Sequence, residues 1–415
     1  MHLGSALDRS SLIIALRSGA SVLTVALLLL ALAPDTADAT SDRSSKQGRG
    51  VPVTRTLAAL PPIAQSGTDP AAPSDDGALV ATFSPANPGQ QVTLQRRVRH
   101  GWTTVARTTE DAWGSAAFSP RPGTYRAATT SEGRAWVTGT VTTRRWQPQF
   151  EDTFSGDQLD PAVWNAQRRE HETEYAPRSC ARVDASAHRV GNGVLHLGVT
   201  PDPERVGQTC DYDWGRSVGQ SPYFLNTQVA TEFTHFTRHG IIAARIRPQR
   251  ADGMHSGFWL LPQGTKFTDG DPSLGAEIDV MEFWGRNGSG RESIGSHVRY
   301  YEPGWTAVQH GDKFVEARKV LEPGASWWDE FHVFSVEWTP EAYIFRVDGR
   351  EYYRETEAVS NAQQYLVLSM LTADYELADL AAADVTDTAQ VDWVRVYAST
   401  SEEVSRTGRG RRSAS

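Results

Sequence analysis

From about residue 149 to residue 399 the chain repeats one pattern. Short apolar runs alternate at every second position and are broken by Gly, Pro and Asp, with almost no amphipathic helical stretch. Val194-Leu195-His196-Leu197, Ile241 to Ile246, Phe331 to Trp338, Tyr343 to Val347 and Tyr365 to Met370 all carry it. A period of two buries one face of a strand and does not fit a helix. About 250 residues of such strands need one large double-sheet core. The prediction is an all-β protein.

Within that region lies Gly275-Ala276-Glu277-Ile278-Asp279-Val280-Met281-Glu282-Phe283-Trp284. On a strand, Glu277 and Asp279 share one face while Ile278 and Val280 share the other. Glu282 has the wrong parity to join them. One extra residue, a bulge near Val280 or Met281, returns it to the Glu277 face. Like charges so close repel and push carboxyl pKa values apart, leaving one group ionised and another protonated near neutrality. Glycoside cleavage needs that division: one carboxylate attacks the sugar while another acid protonates the leaving oxygen. The bland alternative is an acidic, half-exposed strand, but such strands usually mix charge signs, and this run carries no Lys or Arg.

The run resembles the bulged Glu-x-Asp-x-x-Glu signature of glycoside hydrolase family 16, in its laminarinase-like form. The resemblance extends over roughly residues 150 to 398. Phe150-Glu151-Asp152-Thr153-Phe154 is similar to the family's opening strand. Gly240 to Ile246 and Ser256 to Pro262 are similar to the strands before the acidic run, and Phe331 to Pro340 and Val391 to Tyr397 to later landmarks. Two positions depart from the pattern. Ser369 stands where the family often has Asn, and Met254-His255 replaces the Trp-Pro common before Trp259.

The resemblance implies a β-jelly-roll catalytic domain over 149–399 whose concave sheet forms an open cleft, suited to attack within a polymer. It implies Glu277 as nucleophile, Glu282 as general acid and base, and Asp279 between them as tuner. Trp259, Trp284 and Trp305 are the expected sugar platforms, with core packing as the alternative for each. His297 is expected on the neighbouring strand, within reach of substrate or acid, and Arg245 as a structural partner within the sheet. No cofactor is required for catalysis, and no metal-ligand spacing of the His-Glu-x-x-His kind occurs. The resemblance allows a structural calcium on the convex side, with Asp392 as candidate ligand. A straight strand would hold the two glutamate backbones about 13 Å apart, whereas retention of configuration needs carboxyl groups about 5–5.5 Å apart; the strand must curve.

The expected activity is that of a secreted endo-acting retaining hydrolase of a β-linked polysaccharide, with β-1,3-glucan first. A galactan hydrolase, a transglycosylase and a non-catalytic glucan-binding or cell-surface recognition protein on the same scaffold are the alternatives.

Residues 1–39 read as a signal peptide, with Arg9 and Arg17, an apolar run from Ala20 to Leu32, and an Ala37-Asp38-Ala39 cleavage pattern. The run is short for a membrane span, so no membrane association is expected after cleavage. Export favours joining Cys180 and Cys210, the only two cysteines, as a disulfide; two buried free thiols are the alternative. Residues 40–75, rich in Ser, Thr, Pro, Ala and Asp, read as a disordered linker. Over 76–145, strand signals broken by turn residues suggest a small immunoglobulin-like sandwich of six or seven strands. Its Trp102, Trp113 and Trp136 are either core and domain contacts or a sugar platform. Residues 400–415, with four arginines among Ser and Gly, read as a disordered tail that could touch an anionic cell wall. The net charge of −9 argues against a nucleic-acid partner, which would ask for a basic protein.

Overall fold

The computed structural model describes residues 53–131, 133–165, 177–215, 217–263, 270–286, 292–304, 306–380 and 385–398. The expected leader (1–39), the tail (400–415) and Trp305 lie outside them.

The first eight strands form a small unit. They are β1 (Thr54–Leu60), β2 (Ala78–Ser84), β3 (Gln91–Val98), β4 (Gly101–Thr109), β5 (Ser115–Phe118), β6 (Gly123–Ser131), β7 (Arg134–Val137) and β8 (Val141–Thr143). One sheet has the order β1-β2-β5; the other is β4-β3-β6-β7, with β8 also on β6. Leu79, Ala81, Phe83, Val92, Leu94, Tyr125 and Ala127 fill the space between them. Their alternation along β2, β3 and β6 is what closes the two sheets on each other.

This corrects the expected boundaries. The unit starts at Thr54, because β1 pairs along its whole length with β2, from Thr54↔Ser84 to Leu60↔Ala78. Residues 61–75, the latter part of the expected linker, lie fixed against the larger domain. Gly67 N donates to Phe331 O at 2.9 Å, Arg395 Nη1 to Ala72 O at 3.0 Å and Tyr397 Oη to Ser74 O at 3.0 Å. Ile63 is buried in a cluster with Ile241, Val333, Trp393 and Tyr397. A polar-looking stretch is ordered here because buried donors of the second domain take its carbonyls.

The larger domain contains β9 (Pro148–Asp152), β10 (Ala181–Val183), β11 (His188–Gly191), β12 (Val194–Leu197), β13 (Thr200–Pro201), β14 (Cys210–Trp214), β15 (Ser217–Ser221), β16 (Phe224–Ala230) and β17 (Gly240–Arg247). It continues with β18 (His255–Pro262), β19 (Glu277–Phe283), β20 (Ile294–Glu302), β21 (Thr306–Phe314), β22 (His332–Trp338), β23 (Tyr343–Val347), β24 (Arg350–Glu355), β25 (Gln364–Leu371) and β26 (Ala389–Tyr397). Among the described residues its one α-helix is the single turn Leu377–Leu380.

Two eight-stranded sheets stack face to face as a jelly-roll sandwich. One runs β10-β16-β25-β18-β19-β20-β21 with β13 on β16, the other β11-β12-β26-β17-β22-β23-β24 with β9 on β26. Phe258, Ile278, Phe334, Val336, Leu368 and Val394 meet between them in one large core. Cys180 and Cys210 form a disulfide with Cα atoms 5.6 Å apart, tying the β14–β15 hairpin to the start of β10.

On the outer side of the second sheet, Arg245 is buried and ion-paired with Asp392. It also donates to Gly67 O at 2.6 Å and Asp69 O at 2.9 Å. Asp392, the candidate calcium ligand, is thus neutralised by a guanidinium and lies in no group of acidic or histidine ligands among the described residues. A structural calcium at Asp392 is not what the local charge calls for.

Candidate active site

Strand β19 lies near the middle of the first sheet, between β18 and β20. Opposite β20, Asp279 pairs with His297 and Glu282 with Gly295, so two residues of β19 face the single residue Ser296. Opposite β18, Met281 pairs with Phe258 and Asp279 with Trp259, leaving Val280 as the extra residue. Val280 and Met281 both turn into the core with Ile278 and Phe283. Two successive inward side chains shift the parity by one, so Glu277, Asp279 and Glu282 line the same outer groove. The bulge also frees the Val280 carbonyl from the ladder. Ser296 Oγ donates to it at 2.9 Å and lies 2.7 Å from the Tyr352 hydroxyl.

The register gives Glu282 two glycine neighbours, Gly257 and Gly295. A Cβ at Gly295 would stand 2.6 Å from the Trp284 ring, and one at Gly257 would stand 2.9 Å from Ser369 Oγ. Backbone-only neighbours let Trp284 lie down beside the acid and keep the groove floor low.

The three acids sit in different fields. Glu277 is ion-paired with Arg299, its cross-strand partner, at 3.1 Å. Asp279 is 4% exposed; burial, then the charges of Glu277 and Glu282, hold its pKa well above the usual carboxylate range. Glu282 is also desolvated, but the 3.1 Å hydrogen bond with His297 Nδ1 and the electrostatic influence of His255, His297 and Arg299 outweigh burial and lower its pKa. The two carboxyls are thus pushed in opposite directions, Asp279 toward holding a proton and Glu282 toward losing one. The difference follows from the greater burial of Asp279 and from the imidazole beside Glu282. Arg299 stays charged, because the carboxylates around it exceed its own desolvation.

Asp279, Glu282 and His297 also offer ligand atoms within 4.8 Å of one another, the one such group among the described residues. Arg299 and Lys313 already line the same groove, so a divalent ion there would share it with two fixed cations.

Trp259 and Trp284 both line the groove, which has a volume of about 570 Å³. Trp259 Nε1 donates to Ser369 Oγ at 3.1 Å, so the residue found in place of the family's usual Asn orients the indole. Trp284 is largely buried, and Lys313 Nζ lies 3.8 Å from its ring centroid. Sequence reasoning did not single out Arg299, Lys313, His255, Tyr375 or Trp214 as groove residues. Arg299 was within reach: His297, Arg299 and Tyr301 share one parity along β20. His255 is held by Glu376 at 2.7 Å and stacks at 6.4 Å on Tyr375, itself 6.3 Å from Trp214. Trp214 and Tyr375 come from distant segments, so nothing local announces them.

The profile of glycosyl hydrolases family 16 matches residues 206–395, which contain all of β19 and its neighbours. Residues 206–395 are thus similar to glycosyl hydrolases family 16. Over 279 residues the chain is 25% identical to the glucan endo-1,3-beta-glucosidase A1 of Niallia circulans, covering 60% of this chain and 37% of that protein. Over 215 residues it is 26% identical to a beta-glucanase of Rhodothermus marinus, covering 50% of this chain and 65% of the relative. The chain thus spans well under half of the first relative and just under two thirds of the second. An endo-beta-1,3-glucanase from Pyrococcus furiosus superposes with a TM-score of 0.47 at 19% identity, over 65% of this chain and 97% of the other. In the region that matches family 16 the two glutamates of the motif face one groove across a single bulge.

Proposed function

We propose that the protein is an exported, endo-acting, retaining glycoside hydrolase of a β-linked polysaccharide, with β-1,3-glucan as the first candidate substrate. The observation that carries this is the common outward face of Glu277, Asp279 and Glu282 on one bulged strand. The names of the two curated relatives support a glucan. The leader pattern and the disulfide support export.

The Glu277 carboxylate, positioned by Arg299, attacks the anomeric carbon. The bond to the glycosidic oxygen breaks, and Glu282 supplies that oxygen with a proton. Water then attacks the glycosyl-enzyme, losing a proton to Glu282 and restoring free Glu277. The lowered pKa of Glu282 suits its second role as base. For the first role it takes a proton from Asp279, which has an atom within 4.8 Å. Esterification of Glu277 removes one charge that keeps Asp279 protonated. Asp279 then ionises more readily, and its charge strengthens Glu282 as a base.

A second reading is favoured by one observation. Lys313 covers the Trp284 ring, and Arg178 and Arg299 line the same groove. Cations there suit a galactan bearing anionic groups better than a neutral glucan. Reducing-end release from laminarin, mixed-linkage glucan, agarose and carrageenan separates the readings. Release from laminarin supports the first and release from carrageenan the second. Binding without release from any polymer would replace hydrolysis by recognition, and longer oligosaccharides at constant end number would indicate transglycosylation.

A further inference from the structure

The small unit carries a cationic face that the groove chemistry does not use. Val92 and Leu94 point into its core, so Thr93, Gln95 and Arg97 of β3 point outward. Their cross-strand partners are Arg107 for Thr93, Trp102 for Arg97 and Arg126 for Gln95. The Trp102 ring reaches across β3, with the guanidinium of Arg97 at 5.4 Å and that of Arg126 at 4.5 Å from its centroid. Arg126 Nε donates to Gln95 Oε1 at 2.7 Å. Stacking uses the flat faces of the guanidinium groups and leaves N–H edges for a planar anion.

Residues 91–131 contain two acids, and neither balances this face. Glu110 is buried, accepting from Asn87 N at 2.9 Å and Thr129 Oγ1 at 3.3 Å. Asp111 is paired with Arg350 of the jelly roll at 3.0 Å. Among the described residues Arg97, Arg107 and Arg126 are in no ion pair. A local positive patch therefore stands on a chain of net charge −9.

We propose that the outer face of β4-β3-β6 binds an anionic polysaccharide, with Arg97 and Arg126 on either side of Trp102 taking its carboxylate or sulfate groups. Duplex nucleic acid carries a charge every ~1.7 Å, too dense for three arginines on an otherwise acidic protein. A glycan with at most one or two charges per sugar suits guanidiniums set on neighbouring strands about 4.8 Å apart. The site is independent of whether the groove cleaves its polymer.

The test uses the full chain and isothermal titration with polygalacturonate, dextran sulfate, laminarin and duplex DNA. Polygalacturonate or dextran sulfate should bind, the tighter one naming the anionic group, with affinity falling as salt rises. Arg97→Ala with Arg126→Ala should weaken that binding at least about tenfold at an unchanged melting temperature, while Arg121→Ala, off this face, leaves it alone. Arg107→Ala, at an exposed position, carries the test if the double variant melts early, and should weaken binding measurably. Unchanged affinity in these variants, equal weakening by Arg121→Ala, or tighter binding to DNA than to either charged glycan overturns the proposal.

Discussion

Ser296 Oγ donates a 2.9 Å hydrogen bond to the Val280 carbonyl, at the residue where β19 departs from regular pairing. This contact stabilises the local geometry that brings Glu282 onto the side of Glu277. Ser296→Ala leaves the buried Val280 carbonyl with only the longer 3.4 Å hydrogen bond from the Tyr352 hydroxyl, a loss that costs about 1 kcal/mol. Thermal melts should show that loss together with a lower kcat on the preferred polymer. A variant with normal stability and turnover would show that the bulge holds without this bond.

Glu282→Gln should lower turnover by about 10²–10⁴-fold, and Glu277→Gln by more, with melting temperatures kept. Azide added to Glu277→Ala should form a glycosyl azide of the opposite anomeric configuration to that formed with Glu282→Ala, as read by NMR of the product. The same anomer from both variants contradicts the roles assigned.

Asp279 has its pKa raised from 3.8 by burial and neighbouring carboxylates. Above pH 3.8 the unfolded chain has lost a proton that the folded one keeps, so this residue's contribution to stability falls as pH rises toward the folded pKa. Glu282 works the other way: its lowered pKa makes stability rise with pH in the window below 4.5. Asp279→Asn should therefore gain melting temperature relative to the native protein as pH climbs above about 4, while losing activity. A melting difference that stays flat with pH rules out a raised Asp279 pKa.

Gly295→Ala places a Cβ 2.6 Å from the Trp284 ring. Overpacking of this kind costs about 1–3 kcal/mol, and the displaced indole should raise KM more than it lowers kcat. Denaturant melts and steady-state kinetics measure both, and unaltered kinetics would show that Trp284 does not border the sugar site.

The Cys180–Cys210 disulfide closes a separation of 30 residues, a constraint contributing about 3–4 kcal/mol in the chain-entropy model. Cys180→Ser with Cys210→Ser should lose that much in denaturant melts. It should also free the hairpin carrying Trp214, weakening binding of long oligosaccharides more than short ones. Equal loss for both lengths would separate Trp214 from substrate.

Period-two alternation along strands such as Val194–Leu197 determined an all-β fold from sequence alone, because burial of one strand face is a local property of the chain. The parity of Glu277, Asp279 and Glu282 likewise called for a bulge near Val280, since no regular strand puts three acids so spaced on one side. Tertiary structure decided what depends on residues far apart in the chain. The pKa of Asp279 is raised and that of Glu282 lowered because burial of one and an imidazole from β20 beside the other set their fields. Residues 61–75 are fixed because Arg245, Arg395 and Tyr397, more than 160 residues away, take their carbonyls. Groove residues Trp214, Tyr375 and Lys313 meet only through packing, and strand pairing sets the Arg245 guanidinium beside Asp392, the candidate calcium ligand. Hydrophobic period is written residue by residue, whereas the field at a carboxyl group depends on every charge and surface the fold gathers around it.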